Sequence, residues 1–366
     1  MSKSDNKFYS LNRILKRDAQ YNIIFGERSN GKTYACLKYG IEQYVKNGKQ
    51  TAYLRRSKED FIGNRGVSMF NALVANGVIR DLTNGDWTDV YYYGSRWYLC
   101  KYDGKNNRIS DDIPFCYGFA LSTSEHDKST SYPNITTIIF DEFITRQFYL
   151  VDEFTILANV ISTIISQRTD VKIFMLGNTV NKYACPYITE MGLKHFKSMQ
   201  PGDIDVYRYG ETKLTGAVEY CKPNKQGKPN NYYFAFDNPK LAMITSGQWE
   251  MEIYPHLPYK YKPQNVVMHY YIYFSDVWLH AEIVYLPNCT FTFIHRKTTP
   301  LSEYDNKNVI IFSDEISPLP NHFRRINEPR NNLCKRIFEY YITDRIFYAD
   351  NEIGEVVRNY LKWCTN

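Results

Sequence analysis

At 366 residues, 43% of them hydrophobic, the chain has room for two packed cores and is too apolar to remain disordered. Its net charge of +6 permits a polyanionic partner without requiring one. No apolar run reaches the roughly 18 residues of a membrane-spanning helix, and Met1–Ser10 is polar, so a cytoplasmic protein not exported by the usual route is expected. Eight scattered cysteines form no C-x-x-C pair and seven histidines no H-x₃₋₅-H pair, so no zinc motif is legible. The 33 tyrosines are read as compositional bias.

In chain order, Leu11-Asn12-Arg13-Ile14-Leu15 suits a short helix and Tyr21-Asn22-Ile23-Ile24-Phe25 a buried strand. Gly26-Glu27-Arg28-Ser29-Asn30-Gly31-Lys32-Thr33 follows and reads G-x-x-x-x-G-K-T, with a helix predicted beyond it to about Asn47. Strand, glycine-rich turn and helix are the setting that a phosphate loop needs. Gly26 and Gly31 allow backbone N–H groups of the loop (Arg28, Ser29, Asn30) to close around phosphate oxygens. The helix directs its positive end at the same place. Lys32 is expected to reach the β- and γ-phosphates and the Thr33 hydroxyl to hold Mg²⁺, so ATP with Mg²⁺ is the expected ligand. Arg28 is expected to touch the nucleotide or a neighbouring subunit.

Gln50–Arg55 reads as a second strand and completes a βαβ unit. Arg55 and Arg56, at its carboxyl end, face phosphates or nucleic acid, or else form a solvated pair. Glycine-interrupted helical periodicity runs from Phe61 to Leu82. Short strands at Tyr91–Tyr93, Arg96–Leu99 and Phe115–Leu121 then predict a hairpin insertion, with Lys101, Lys105 and Arg108 near its tip.

Thr136-Thr137-Ile138-Ile139-Phe140 leads into the carboxylates Asp141 and Glu142, as a buried parallel strand ending at a site should. Asp141 is placed to bind Mg²⁺ and Glu142 to polarise the water that attacks the γ-phosphate. A helix is predicted from Asp152 to Gln167, then a strand from Val171 to Gly177 whose tip, Asn178, can contact the γ-phosphate or that water. Arg146 and, as a rival, Arg168 are candidates for an arginine finger. Together these elements predict an α/β fold, a phosphate-loop ATPase core of the ASCE kind. Its sheet is mostly parallel, has helices on both faces, and carries an inserted strand between the two nucleotide motifs.

Asp205–Tyr209 is read as the last strand of this domain. The polar loop Cys221–Asn231 marks a boundary, and Leu241–Tyr254 suits a small helix. The expected division is a domain over 1–227, a linker over 228–262 and a smaller domain over 263–366. In the last, Val266–Phe274, Trp278–Tyr285 and Phe291–His295 read as three meandering strands and Val309–Phe312 as a fourth. Asn331–Tyr341 and Ile353–Trp363 are closing helices. This order predicts an RNase H-like domain. A nuclease on that fold needs carboxylates around two metals about 4 Å apart. Asp276, Asp314 and Asp344 are the candidates, but Asp276 lies at a strand end, so a binding domain without cleavage is the reading.

With Gly26–Thr33, Thr136–Glu142, Leu176–Thr179 and this domain order, the sequence resembles the DNA-packaging ATPases of small phi29-like tailed phages. Trp249-Glu250 and Tyr254-Pro255-His256-Leu257-Pro258 resemble their interdomain linker. The resemblance implies a homopentameric ring on the portal (connector) vertex of an empty capsid in the host cytoplasm, driving double-stranded DNA inward. It leaves open an RNA or protein adaptor between motor and portal. Position by position, it makes Lys32 and Thr33 the phosphate and Mg²⁺ ligands, Asp141 the Walker B carboxylate and Glu142 the catalytic glutamate. Arg146 becomes a trans-acting arginine. The alternatives are a helicase or AAA-type remodelling ATPase, and a terminase that also cuts DNA.

Overall fold

A computed structural model describes residues 9–123, 131–146, 149–181, 183, 185–222, 252–258 and 260–365. The chain divides into two compact units, Met1–Trp249 and Glu250–Asn366.

The first unit is built on ten strands: β1 (Tyr21–Gly26), β2 (Gln50–Arg55), β3 (Asp89–Tyr93), β4 (Arg96–Tyr102), β5 (Arg108–Ser110), β6 (Cys116–Ala120), β7 (Ile135–Asp141), β8 (Lys172–Asn178), β9 (Ile204–Arg208) and β10 (Thr215–Tyr220). They lie in the order β3-β4-β6-β2-β7-β8-β1-β10-β9, with β5 added to β4. The stretch from β6 to β10 is parallel throughout, while β9 and the β3–β5 edge run antiparallel.

Alternation along the strands explains why both faces are covered. Ile23, Phe25, Leu54, Ile138 and Phe140 enter one apolar cluster with Leu157, Ile161 and Ile164 of the helix Glu153–Ile165. Ile24, Tyr53, Ile139, Phe174 and Leu176 enter the other with Cys36, Leu37 and Ile41 of the helix Lys32–Asn47. Successive strand residues point to opposite faces, so a run that is apolar throughout needs a helical layer on each side.

Two sequence expectations are corrected here. β10 follows the strand taken as last and pairs directly with β1. It was hidden by Glu219, a buried carboxylate that accepts from Tyr9 Oη at 2.7 Å and pairs with Arg13 at 3.1 Å. The hairpin insertion is an extension of the main sheet, because β4 pairs with β6. Its basic side chains lie along that edge: the Arg108 guanidinium sits 3.4 Å over the Tyr91 ring, and the Lys101 ammonium 5.6 Å from Trp87.

The second unit holds β11 (Val266–Phe274), β12 (Val277–Leu286), β13 (Cys289–Arg296), β14 (Ile311–Ser313), β15 (His322–Phe323) and β16 (Ile346–Tyr348), in the order β15-β14-β11-β12-β13-β16. β11, β12 and β13 are antiparallel, β14 runs parallel to β11 and β15 parallel to β14. That is the RNase H-like arrangement, with β16 added parallel to β13. The helices Asn332–Ile342 and Asn351–Thr365 cover one face through Tyr341, hydrogen-bonded to Tyr270 at 2.8 Å, and Tyr360, which packs on Phe274.

Glu252–Pro258 belongs to this unit: Tyr254 Oη donates to Glu355 at 2.8 Å and Tyr254 N to Asn351 at 3.0 Å. The linker expected over 228–262 therefore stops before Glu252. The rest of it lies outside the described residues, as do the polar loop beyond Lys222 and the small helix up to Met251. Among the described residues no helix is long and apolar enough to cross a membrane.

Candidate functional site

Parallel strands bring their carboxyl ends to one edge, and four of them meet there. The pairing places Gly26 beside Asn178 and Asp141 beside Leu176, so β8 lies between the strand bearing the loop and the strand bearing the carboxylates. Gly31 caps the following helix at φ 93°, a conformation that favours glycine. At Gly26 a Cβ would lie 2.9 Å from the Cys221 Cβ, so β10 also demands a glycine there.

Lys32 is 6% exposed. Its ammonium donates to Glu27 O at 2.7 Å, to Gly26 O at 3.4 Å, and to the Asn30 and Asn178 side-chain oxygens at 3.2 Å each. Burial pulls the Lys32 pKa below its ordinary value, with Cys221, Asp141 and Glu27 opposing the shift. Thr33 Oγ1 donates to Asp141 Oδ2 at 2.9 Å, and Tyr53 Oη donates to the same oxygen at 2.8 Å. Tyr53 was not foreseen; its position near the carboxyl end of β2 is the signal that could have found it.

Glu142 occupies the turn after β7 at φ 64°, its N–H donating to Asp141 Oδ1 at 3.0 Å. Its carboxylate accepts from Arg55 Nη2 at 2.8 Å, and Arg55 also donates to Asp60 at 3.1 Å. Arg56 binds the buried Glu153 through two contacts, at 2.7 and 2.8 Å, and donates to the Glu142 carbonyl at 3.2 Å. The two arginines are thus not a solvated pair: Arg55 holds the Glu142 carboxylate and Arg56 the turn that presents it, and both line the adjoining cavity. Glu153, at the start of its helix, is the partner that sequence reading missed.

A cavity of about 460 Å³ opens beside this turn, lined by Arg28, Arg55, Arg65, Arg146, Glu142 and Asn178 among others. A second, of about 270 Å³, is lined by Ser29–Tyr34 with Asp141, Glu142, Gly177 and Asn178. Arg146 Nε donates to Val180 O at 3.0 Å. Arg168 instead donates to the carbonyls of Ile164, Ile165, Tyr132 and Pro133, ending the helix Glu153–Ile165 at the far edge of the sheet. It lines neither cavity.

The three aspartates of the second unit do not gather. Asp276 sits in the β11–β12 turn and Asp314 just after β14, so both lie where these parallel strands end; Ser275 N donates to Asp314 at 3.1 Å. Asp344 precedes β16, which runs in the same direction as β11, and so lies at the opposite edge. Among the described residues no cluster of three ligand side chains includes any of them.

A parallel sheet with a phosphate loop on β1, adjacent carboxylates at the end of β7 and β8 between them defines a phosphate-loop ATPase core of the inserted-strand class. Residues 1–194 match the family described as "Podovirus DNA encapsidation protein (Gp16)". The match covers more than half of the chain, which therefore belongs to that family. The chain is 30% identical over 177 residues to the DNA packaging protein of Bacillus phage phi29, and 29% identical over 185 residues to that of Bacillus phage B103. These matches take in 48% and 49% of this chain and 47% and 50% of those proteins, so the chain spans about half the length of the curated relatives it matches.

Among solved structures, the bacteriophage Phi-29 viral genome packaging motor assembly is similar at a TM-score of 0.57 and 21% identity, covering 98% of both chains. The Phi-28 gp11 DNA packaging motor is similar at 0.51 and 19%, with the same coverage. At those identities the likeness is one of fold.

Proposed function

We propose that this chain is the ATPase subunit of a viral packaging motor, hydrolysing ATP to drive double-stranded DNA into an empty capsid through its portal. The observation that carries the reading is the meeting of Lys32, Thr33, Asp141, Glu142 and Asn178 at one sheet edge. Family membership and the motor-assembly folds supply the biological setting.

The loop residues Gly26 and Arg28–Gly31 bind the triphosphate through backbone N–H groups, and Lys32 exchanges its present oxygen partners for phosphate oxygens. Thr33 and Asp141 fit Mg²⁺: they are oxygen donors already 2.9 Å apart at the start of the helix, and this hard cation takes one or two carboxylates, phosphate oxygens and water. When bound, the ion neutralises charge on the transferring phosphoryl group. Glu142 orients and polarises the attacking water, which requires its carboxylate to leave Arg55. Asn178, bridging from β8 to Lys32, reports the γ-phosphate.

In a ring, side chains that grip phosphates alone avoid contacts to bases, which makes transport indifferent to sequence. We assign the ring five copies in the host cytoplasm, docked transiently on the capsid, and Arg146 the completion of a neighbour's site. Within its own chain Arg146 lines the same cavity as Glu142, so mixing separates the roles. Arg146→Ala subunits mixed with Glu142→Gln subunits should regain partial turnover if sites are shared; uniformly low activity in every mixture overturns the trans role. The second unit binds without cutting, and plasmid incubated with Mn²⁺ should stay intact.

The central test is Glu142→Gln. Turnover should fall by roughly 10²–10⁴ while ATP binding persists. Unchanged turnover, or no stimulation of the native chain by DNA and empty capsids together, overturns the reading.

A further inference from the structure

We propose that the second unit carries a binding site for a borderline divalent metal ion, Zn²⁺ foremost, formed by His280, Glu282 and His295. Nothing in the ATPase chemistry uses these residues, and they lie away from the strand ends where Asp276 and Asp314 sit.

The sheet places them together. His280 and Glu282 are two apart on β12, so they share a face, and the β12–β13 register sets His295 directly opposite His280. Directly opposed residues have Cβ atoms about 4.5–5.5 Å apart, within which two imidazoles can converge. One ring nitrogen of each histidine and one Glu282 oxygen all lie within 4.8 Å of one another. His295 Nε2 is 3.8 Å from Glu282 Oε2. Tetrahedral zinc, with bonds of about 2.0–2.2 Å, separates its donors by roughly 3.3 Å. Side-chain torsions alone can close that difference.

The surroundings select the ligand forms. His295 Nδ1 lies 3.2 Å from the Arg296 carbonyl; an N–H donated there leaves the Nε2 lone pair facing Glu282. Tyr261 Oη donates to Glu282 Oε2, orienting the carboxylate and leaving Oε1 available. His280 Nε2 is buried and has no hydrogen-bond partner, a position that normally requires one. His269 packs on His280 with ring centroids 5.3 Å apart, and its Nε2 stands 3.9 Å from Asp305. Imidazole and carboxylate from two strands suit zinc-class ions over Mg²⁺ or Ca²⁺, which favour all-oxygen sites. Three protein ligands leave a fourth position for water, and the ion would pin β12 to β13.

The test uses the full chain, nucleotide-free and with thiols reduced, dialysed against Co²⁺ as a spectroscopic stand-in for zinc. The expected result is saturable uptake of one ion per chain, with the visible bands of four-coordinate cobalt, displaced by Zn²⁺. Thr33→Ala should leave uptake unchanged. His280→Gln and His295→Gln should each weaken it beyond the roughly 10–100-fold that loss of an outer partner costs. Tyr261→Phe, which keeps all three ligands and is expected to fold, should weaken it about tenfold. Non-saturable uptake, uptake unchanged in the histidine variants, or a thiolate-to-cobalt band marking a cysteine site overturns the proposal.

Discussion

Arg56→Met is expected to destabilise the first unit by about 3–5 kcal/mol, the cost of stranding one member of a buried ion pair. The Glu153 side chain is 0% exposed and that of Arg56 17%, so water cannot replace the lost partner. Four donors satisfy the carboxylate: Arg56 Nε at 2.7 Å and Nη2 at 2.8 Å, Tyr187 Oη at 2.7 Å and Leu150 N at 2.8 Å. The substitution deletes the two guanidinium bonds, each worth about 1.5–3 kcal/mol, in agreement with the ion-pair figure. Replacing both ends, with Arg56→Met and Glu153→Met, removes the buried charge and leaves two neutral donors to find new partners. The double variant should therefore exceed the single in stability by at least about 1 kcal/mol.

Urea unfolding followed by tryptophan emission measures this, in a Trp278→Phe, Trp363→Phe background so that the signal comes from the first unit, where Trp97 is fully buried. A loss under about 1 kcal/mol, the range of an exposed pair, would refute the reasoning. So would a double variant no more stable than the single one.

Lys32→Ala should weaken nucleotide binding roughly tenfold to over a hundredfold, the worth of one charge-assisted contact, as read by titration calorimetry with a non-hydrolysable analogue. Arg55→Ala releases the Glu142 carboxylate, and since that carboxylate is 53% exposed the restraint is modest. Basal ATP hydrolysis without DNA should rise a few-fold, and a fall would assign Arg55 to catalysis instead. Gly177→Ala sets a Cβ 2.8 Å from Ile144 side-chain carbons and 2.9 Å from Phe143, and should lower stability by about 1–3 kcal/mol in the same urea assay.

The meeting of the loop with the carboxylates at one sheet edge was legible because its signals are local. The phosphate loop has a fixed spacing, and β1, β7 and β8 are mostly apolar runs, the last two ending in the polar tips Asp141 and Asn178. What sequence could not convey depends on partners distant in the chain. Arg55 and Arg56 looked like free cations because Glu142 is brought to them by the β2–β7 pairing and Glu153 by the helix that follows β7. β10 was hidden because Glu219 interrupts its apolar pattern, and that carboxylate is tolerable only once Tyr9 and Arg13 reach it. Asp344 was grouped with Asp276 and Asp314 because strand direction is not readable from composition; β16 places it at the wrong edge. His280 and His295 show no ligand spacing for a similar reason: a cross-strand register joins them, not a short interval along the chain.

The left-handed backbone of Glu142 sets stability against activity. A non-glycine residue at φ 64° costs roughly 1–2 kcal/mol, and the Asp141 carboxylate and the Arg56 guanidinium hold it there. Glycine would sit in this turn without strain, and asparagine with little. A library of variants selected only for resistance to heat should therefore drift toward those two residues at position 142, and, on the role proposed for Glu142, the survivors should be sturdier proteins that no longer turn over ATP.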